Sequence, residues 1–159
     1  MRRFAVLFAA IVLSGCASSM LRDEHDFGLF PTKIDIPTLE VTESVTEITG
    51  SRPETAFPDP QSVRMLRSIY ESANQEGYLK LYTFRAPEPS DSYSVFSSLL
   101  SEGLNYSPQF DGYISDTEGL FRRGTLVAYV TSSAKYPLSK SDISSLLTFV
   151  SRAERQGGE

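Results

Sequence analysis

The chain has 159 residues, 40% of them hydrophobic and 22% charged, the composition of one ordinary globular domain with some sequence to spare. Its formal charge of -5 and pI near 5.0 argue against nucleic acid as a partner, because neutralising phosphates takes a basic face.

Arg2 and Arg3 precede an unbroken apolar run from Phe4 to Leu13. That run is too short to cross a bilayer, which takes roughly 20 residues, but it fits the apolar region of an export signal. Small residues follow at once: Ser14, Gly15, Cys16, Ala17, Ser18 and Ser19. Leu13-Ser14-Gly15-Cys16 resembles the lipobox of bacterial lipoproteins, placed directly after the apolar run as in that class. The resemblance implies that 1–15 is a signal peptide cut between Gly15 and Cys16. It also implies a diacylglycerol thioether on Cys16 and acylation of the new α-amine. At about 0.8 kcal/mol per buried methylene, two or three chains on one residue make detachment from the bilayer rare. Ala17 and Ser18 lack the aspartate that retains such proteins at the inner membrane of enteric-type bacteria, so the resemblance favours the periplasmic face of the outer membrane. Once lipidated, the single cysteine leaves none for a disulfide, a thiolate metal site or a nucleophile. Losing Arg2 and Arg3 takes the formal side-chain charge from -5 to -7.

Residues 16–59 read as the lipid anchor followed by an acidic tether. Between Ala17 and Asp59 nine acids stand against Arg22, Lys33 and Arg52, and Pro31, Pro37, Pro53 and Pro58 interrupt the stretch. Such a segment buries too little apolar surface to offset the entropy of ordering it. As a flexible coil it would reach on the order of 40 Å. His25, the sole histidine, falls here with no sequence neighbour to orient it and reads as solvated. Residues 39–48 stand apart, because L-E-V-T-E-S-V-T-E-I is rich in β-branched residues and partly alternates. The run fits an edge strand or a segment that pairs with a partner; it fits a solvated linker equally well.

From residue 60 to 156 the pattern is that of a folded domain, with 157–159 fraying at Gly157 and Gly158. Asp59-Pro60 offers a helix start and Gly77 a stop, and Val63, Leu66, Ile69, Tyr70 and Ala73 recur between them at helical spacing. Tyr78 to Arg85 has the aromatic and branched content of a strand, ended by Pro87 and Pro89. Ser92 is placed to cap a helix with Val95, Phe96, Leu99 and Leu100 inward, closing near Gly103. Asp111 to Ser115 and Gly119 to Arg122 read as strands around a turn at Asp116-Thr117-Glu118. Gly124 marks a bulge or second turn before Leu126 to Thr131, the clearest strand. Ser139-Lys140-Ser141-Asp142 resembles a capping box. It opens a last helix with Ile143, Leu146, Leu147, Val150 and Ala153 on one face. The expected fold is therefore α+β, in the order α-β-α-β-β-α. It has a three- or four-stranded, mostly antiparallel sheet and two or three helices on one of its faces. That order resembles the small strand-helix-strand-strand-helix modules of envelope secretion rings and secretin periplasmic domains, a likeness of topology that carries no motif.

Few residues point to chemistry. Ser132-Ser133-Ala134-Lys135 matches the S-x-x-K spacing of penicillin-recognising serine enzymes, in which the serine opens a helix that brings the lysine one turn on. Here the tetrad follows a strand and precedes Pro137, and no K-T-G element follows, so chance accounts for the match. Asp111, Asp116 and Glu118 miss the spacing of a calcium loop and read as turn acids facing water. Neither a metal nor a cofactor is expected. Arg122-Arg123 is the basic doublet of the domain, suited to an acidic partner or simply to a solvated turn. Tyr106, Phe110, Tyr113 and Phe121 cluster around a proline-containing loop. They form either a binding surface, with Arg122 and Arg123 beside it, or a cover for the open end of the sheet.

These readings give a lipid-anchored, non-catalytic accessory or protein-binding module of an envelope complex, in contact with the bilayer through acylated Cys16. A cell-wall glycan-binding module gripping through Tyr106 and Tyr113 is the alternative. A serine hydrolase built on Ser132 and Lys135 is a weaker one.

Overall fold

A computed structural model describes residues 25–48, 64–73, 76–133 and 140–157. The segments read as export signal and lipobox, together with Pro60, Val63, Lys135 and Ser139, lie outside the described residues.

Seven strands form one sheet: β1 (Leu39–Glu47), β2 (Arg64–Ser72), β3 (Tyr78–Arg85), β4 (Asn105–Ser107), β5 (Gly112–Ile114), β6 (Glu118–Arg123) and β7 (Leu126–Ser132). Their spatial order is β1-β2-β3-β7-β6-β5-β4, and every neighbouring pair is antiparallel. Helix α1 (Pro89–Leu99) follows β3, and helix α2 (Lys140–Gly157) follows β7. This corrects the expected sheet of three or four strands and the order α-β-α-β-β-α. The likeness to secretion-ring modules, which rested on that order, falls with it.

The first correction is the helix expected after Pro60, where Arg64–Ser72 is a strand. Leu66, Ile69 and Tyr70 satisfy a helical stripe, but Leu66, Ser68 and Tyr70 also alternate and are all buried. Eight register pairs, from Arg64↔Arg85 to Glu71↔Tyr78, tie this run to β3, and β1 pairs along its other edge. Burial between two ladders decides a periodicity that is ambiguous on its own. Gly77 accordingly takes φ 129 in the β2–β3 connection, a left-handed value that glycine adopts without strain.

The second correction concerns the segment read as a tether. Leu29, Phe30, Ile36 and Leu39 are buried in the main core cluster, and β1 is an edge strand. Four well-placed apolar side chains suffice to dock a stretch whose average composition is that of a solvated leash. Its acids find cations on the neighbouring strands: Glu43 bonds Arg67, and Asp26 bonds Arg64 at 3.2 Å and Arg85 at 2.9 Å. His25, expected in solvent, lies with Nε2 3.2 Å from Glu154 Oε2 on α2. Arg85 reaches both oxygens of Glu154, at 2.8 and 2.9 Å. Burial by itself would lower the Arg85 pKa, but Glu154 and Asp26 outweigh it and raise it. These five groups clamp the start of the described chain to the C-terminal end of α2.

The helices lie on opposite faces of the sheet rather than on one. On one face Leu66, Tyr70, Leu79, Leu81, Phe121, Ala128 and Val130 pack with Ile143, Leu146, Leu147 and Val150 of α2. Gly119 permits this approach, since a Cβ there would stand 2.5 Å from Leu147 Cδ1 and 2.7 Å from Ile143 Cγ2. On the other face Met65, Tyr82, Phe84, Leu120 and Val127 meet Val95 and Leu99 of α1. Serine-rich α1 has low intrinsic helicity, and it starts at Pro89, with Glu88 as N-cap in place of Ser92. Ser92 is buried instead, its Oγ 2.6 Å from the Gly124 carbonyl. Leu100, expected on the inner face, is exposed.

Candidate functional site

The hydrophobic stripe of α2 leaves an outward stripe of Ser141, Ser144, Ser145, Thr148 and Arg152, spaced by three or four residues as one helix face requires. Two further elements rise beside that stripe. One is the loop at Asp35, Ile36 and Pro37; the other is the β4–β5 hairpin, which contributes Asn105, Tyr106, Ser107, Pro108, Gln109 and Ile114. Together with Lys140 and Phe149 they enclose an open groove of about 870 Å³, within the roughly 300–1,000 Å³ common for ligand clefts.

Fixed polar groups line it. Thr32 donates its backbone N–H and its hydroxyl to Asp35 Oδ2, each at 2.8 Å, which holds the Asp35 carboxyl below its ordinary pKa. Ser144 donates to Gln109 Oε1 at 2.7 Å and so ties the hairpin to the helix. Ser145 donates to the Ser141 carbonyl. Among the described residues neither Lys140 nor Arg152 makes an ion pair. With Asp35 anionic, the lining carries a net positive charge on a protein that is acidic as a whole. Asp35 is a poor proton donor near neutral pH, since its bonds to Thr32 favour the ionised form.

The residues proposed as a partner surface do not stay together. Phe110 and Phe121 are fully buried, which removes them from any surface. Tyr106 is 58% exposed and stands at the groove's edge. Its hydroxyl donates to Asp111 Oδ1 at 2.8 Å, and its ring meets Tyr113 edge-on at 5.8 Å. Tyr113 in turn packs on Phe96 of α1 at 5.9 Å. Arg122 is occupied with α1: its Nε donates to Ser92 Oγ at 3.1 Å, its Nη2 donates to the Pro89 carbonyl at 3.0 Å, and its guanidinium lies over Tyr93. Arg123 is half-buried at the far end of β6. Only Tyr106 belongs to the groove.

The remaining sequence candidates are dispersed. Ser132 closes β7, with its N–H donating to the Thr117 carbonyl, and Lys135 is outside the described residues. Asp111 adopts φ 59 and serves Tyr106, while Glu118 lies on β6 within 3.5 Å of Ser101 Oγ. No group of three or more His, Cys, Asp or Glu among the described residues is placed to hold a metal. No helix among them is long and apolar enough to cross a membrane.

Sequence reasoning missed the groove because each wall is unremarkable alone. The outward Ser/Thr stripe of α2 was legible as a hydrophilic face. Nothing local says that a three-residue strand and a proline loop will stand beside it. No protein-family model, no characterised protein and no solved structure matches this chain.

Proposed function

We propose that this chain is a lipid-anchored accessory protein of the cell envelope that binds an envelope component in the groove beside α2, without catalysing its conversion. The observation that carries the reading is the position of the two functional ends on one helix. The His25–Asp26 clamp closes on Glu154, near the C-terminus of α2, whereas the groove runs along the helix from Lys140 to Arg152. Nine residue steps separate Cys16 from His25, so the chain between them spans at most about 30 Å. A lipidated Cys16 therefore keeps the clamped end near the bilayer, and the groove extends from that end of α2 toward its amino terminus. Binding is supported by the lining, where hydroxyls and amides predominate.

Mass spectrometry of the full-length protein extracted from membranes tests the anchor. The expected species begins at an acylated Cys16, and Cys16→Ala leaves the signal uncut and the protein absent from the outer-membrane fraction. An intact amino terminus, or a free thiol at Cys16, overturns the reading.

A further inference from the structure

We propose that the groove takes a glycan strand bearing carboxylate groups. The inference deepens the binding role above and rests on it for the cellular setting. Three features of the groove select this ligand class. Its neutral polar groups (Asn105, Gln109, Ser141 and Thr148 among them) are hydroxyls and amides, which match a dense array of sugar hydroxyls and acetamides. Ile36, Pro37 and Phe149 give the same surface an apolar floor for the C–H faces of sugar rings. The third feature is charge. Lys140 and Arg152 are free of ion pairs among the described residues and stand twelve residues apart on α2, a separation of about 18 Å along the axis. Two cations at that distance suit carboxylates repeated along a polymer better than the single charge of a small metabolite.

The form of the groove agrees. Among the described residues it is open along the outer side of α2, which suits an extended chain. A peptide added to the sheet would need an edge to pair with, and β4 offers only three residues. Arg152 presents a planar fork to a carboxylate, for which lysine is an incomplete substitute.

The test uses purified full-length protein in detergent micelles and two soluble probes. One is the tetramer of N-acetylglucosamine, which has no carboxylate. The other is an alternating tetrasaccharide of N-acetylglucosamine and N-acetylmuramic acid, which has two. The carboxylate-bearing probe is expected to bind about tenfold more tightly, the worth of one charge-assisted hydrogen bond. Arg152→Gln removes the preference, Arg152→Lys restores part of it, and Thr148→Tyr, which puts a ring across the middle of the lining, weakens binding of both probes. Equal affinity for the two, binding of neither, or a preference that survives Arg152→Gln overturns the proposal. An envelope protein that cross-links through Ser145→Cys and is not displaced by either sugar also overturns it. Should Thr148→Tyr fail to fold, Arg152, exposed and without an ion pair among the described residues, still decides the matter. Because micelle-held protein needs no bilayer, a failed titration leaves the anchor standing, and a free thiol at Cys16 leaves the titration valid.

Discussion

Asp26 shows how much one side chain contributes to this architecture. Its carboxylate accepts from Arg64 on β2 and from Nε and Nη2 of Arg85 on β3, and its side chain is only 10% exposed. Replacing Asp26 by alanine leaves two partly buried guanidinium groups sharing Glu154 and Glu47, and breaking a buried charge network on one side costs about 3 kcal/mol. The urea midpoint of Asp26→Ala should fall accordingly, and limited proteolysis should open the chain between Phe27 and Ile36 before the sheet is cut. A loss below about 0.5 kcal/mol, the scale of an exposed pair, would show that the clamp does not hold the segment. None of this was legible in the sequence. An aspartate among nine acids has no visible partner until β2 and β3 bring Arg64 opposite Arg85.

At the scale of elements, legibility followed the number of neighbours each one needs. The last helix could be read because Ile143, Leu146, Leu147 and Val150 form a stripe with a single solution. Tyr78–Arg85 and Leu126–Ser132 could be read because apolar and branched residues fill both faces of the two central strands. β2 could not, since its apolar residues satisfy two periods and only the ladders choose. β4 could not either, since Asn105-Tyr106-Ser107 has no signal beyond its pairing with Tyr113. The packing of α2 on β6 turns on Gly119. Gly119→Val drives a side chain into Leu147 and Ile143, at a cost of about 1–3 kcal/mol. Leu147→Ala alone costs about 2–5 kcal/mol through the cavity it leaves. The double variant should lose at least 1 kcal/mol less than the two losses combined, as contacting sites do. Strict additivity in thermal melts would place the contact elsewhere.

For the whole molecule, the expected sheet is too small because β2 reads as a helix, β1 reads equally as an edge strand and as a solvated linker, and β4 gives no reading at all. Average composition hides the few side chains that dock the first segment, whereas periodicity alone does not decide β2. Correcting these readings changes the mechanics of the proposed anchor. A leash of about 40 Å would let the domain tumble, whereas a chain of nine residue steps, fixed at His25, ties its orientation to that of α2. Ser141 and Arg155 lie about 21 Å apart along that helix, near the groove end and the clamp end respectively. Cys16 is the single cysteine, so an acylated protein accepts a thiol-reactive dye only at an introduced site. With the protein reconstituted in vesicles that carry acceptor lipids, energy transfer from Arg155→Cys should exceed that from Ser141→Cys. A flexible spacer of about 20 residues inserted after Ala17 adds roughly 25 Å of reach and should erase the difference. The reverse order would mean that the groove faces the bilayer, and equal transfer without the spacer would mean that the proposed anchor sets no orientation.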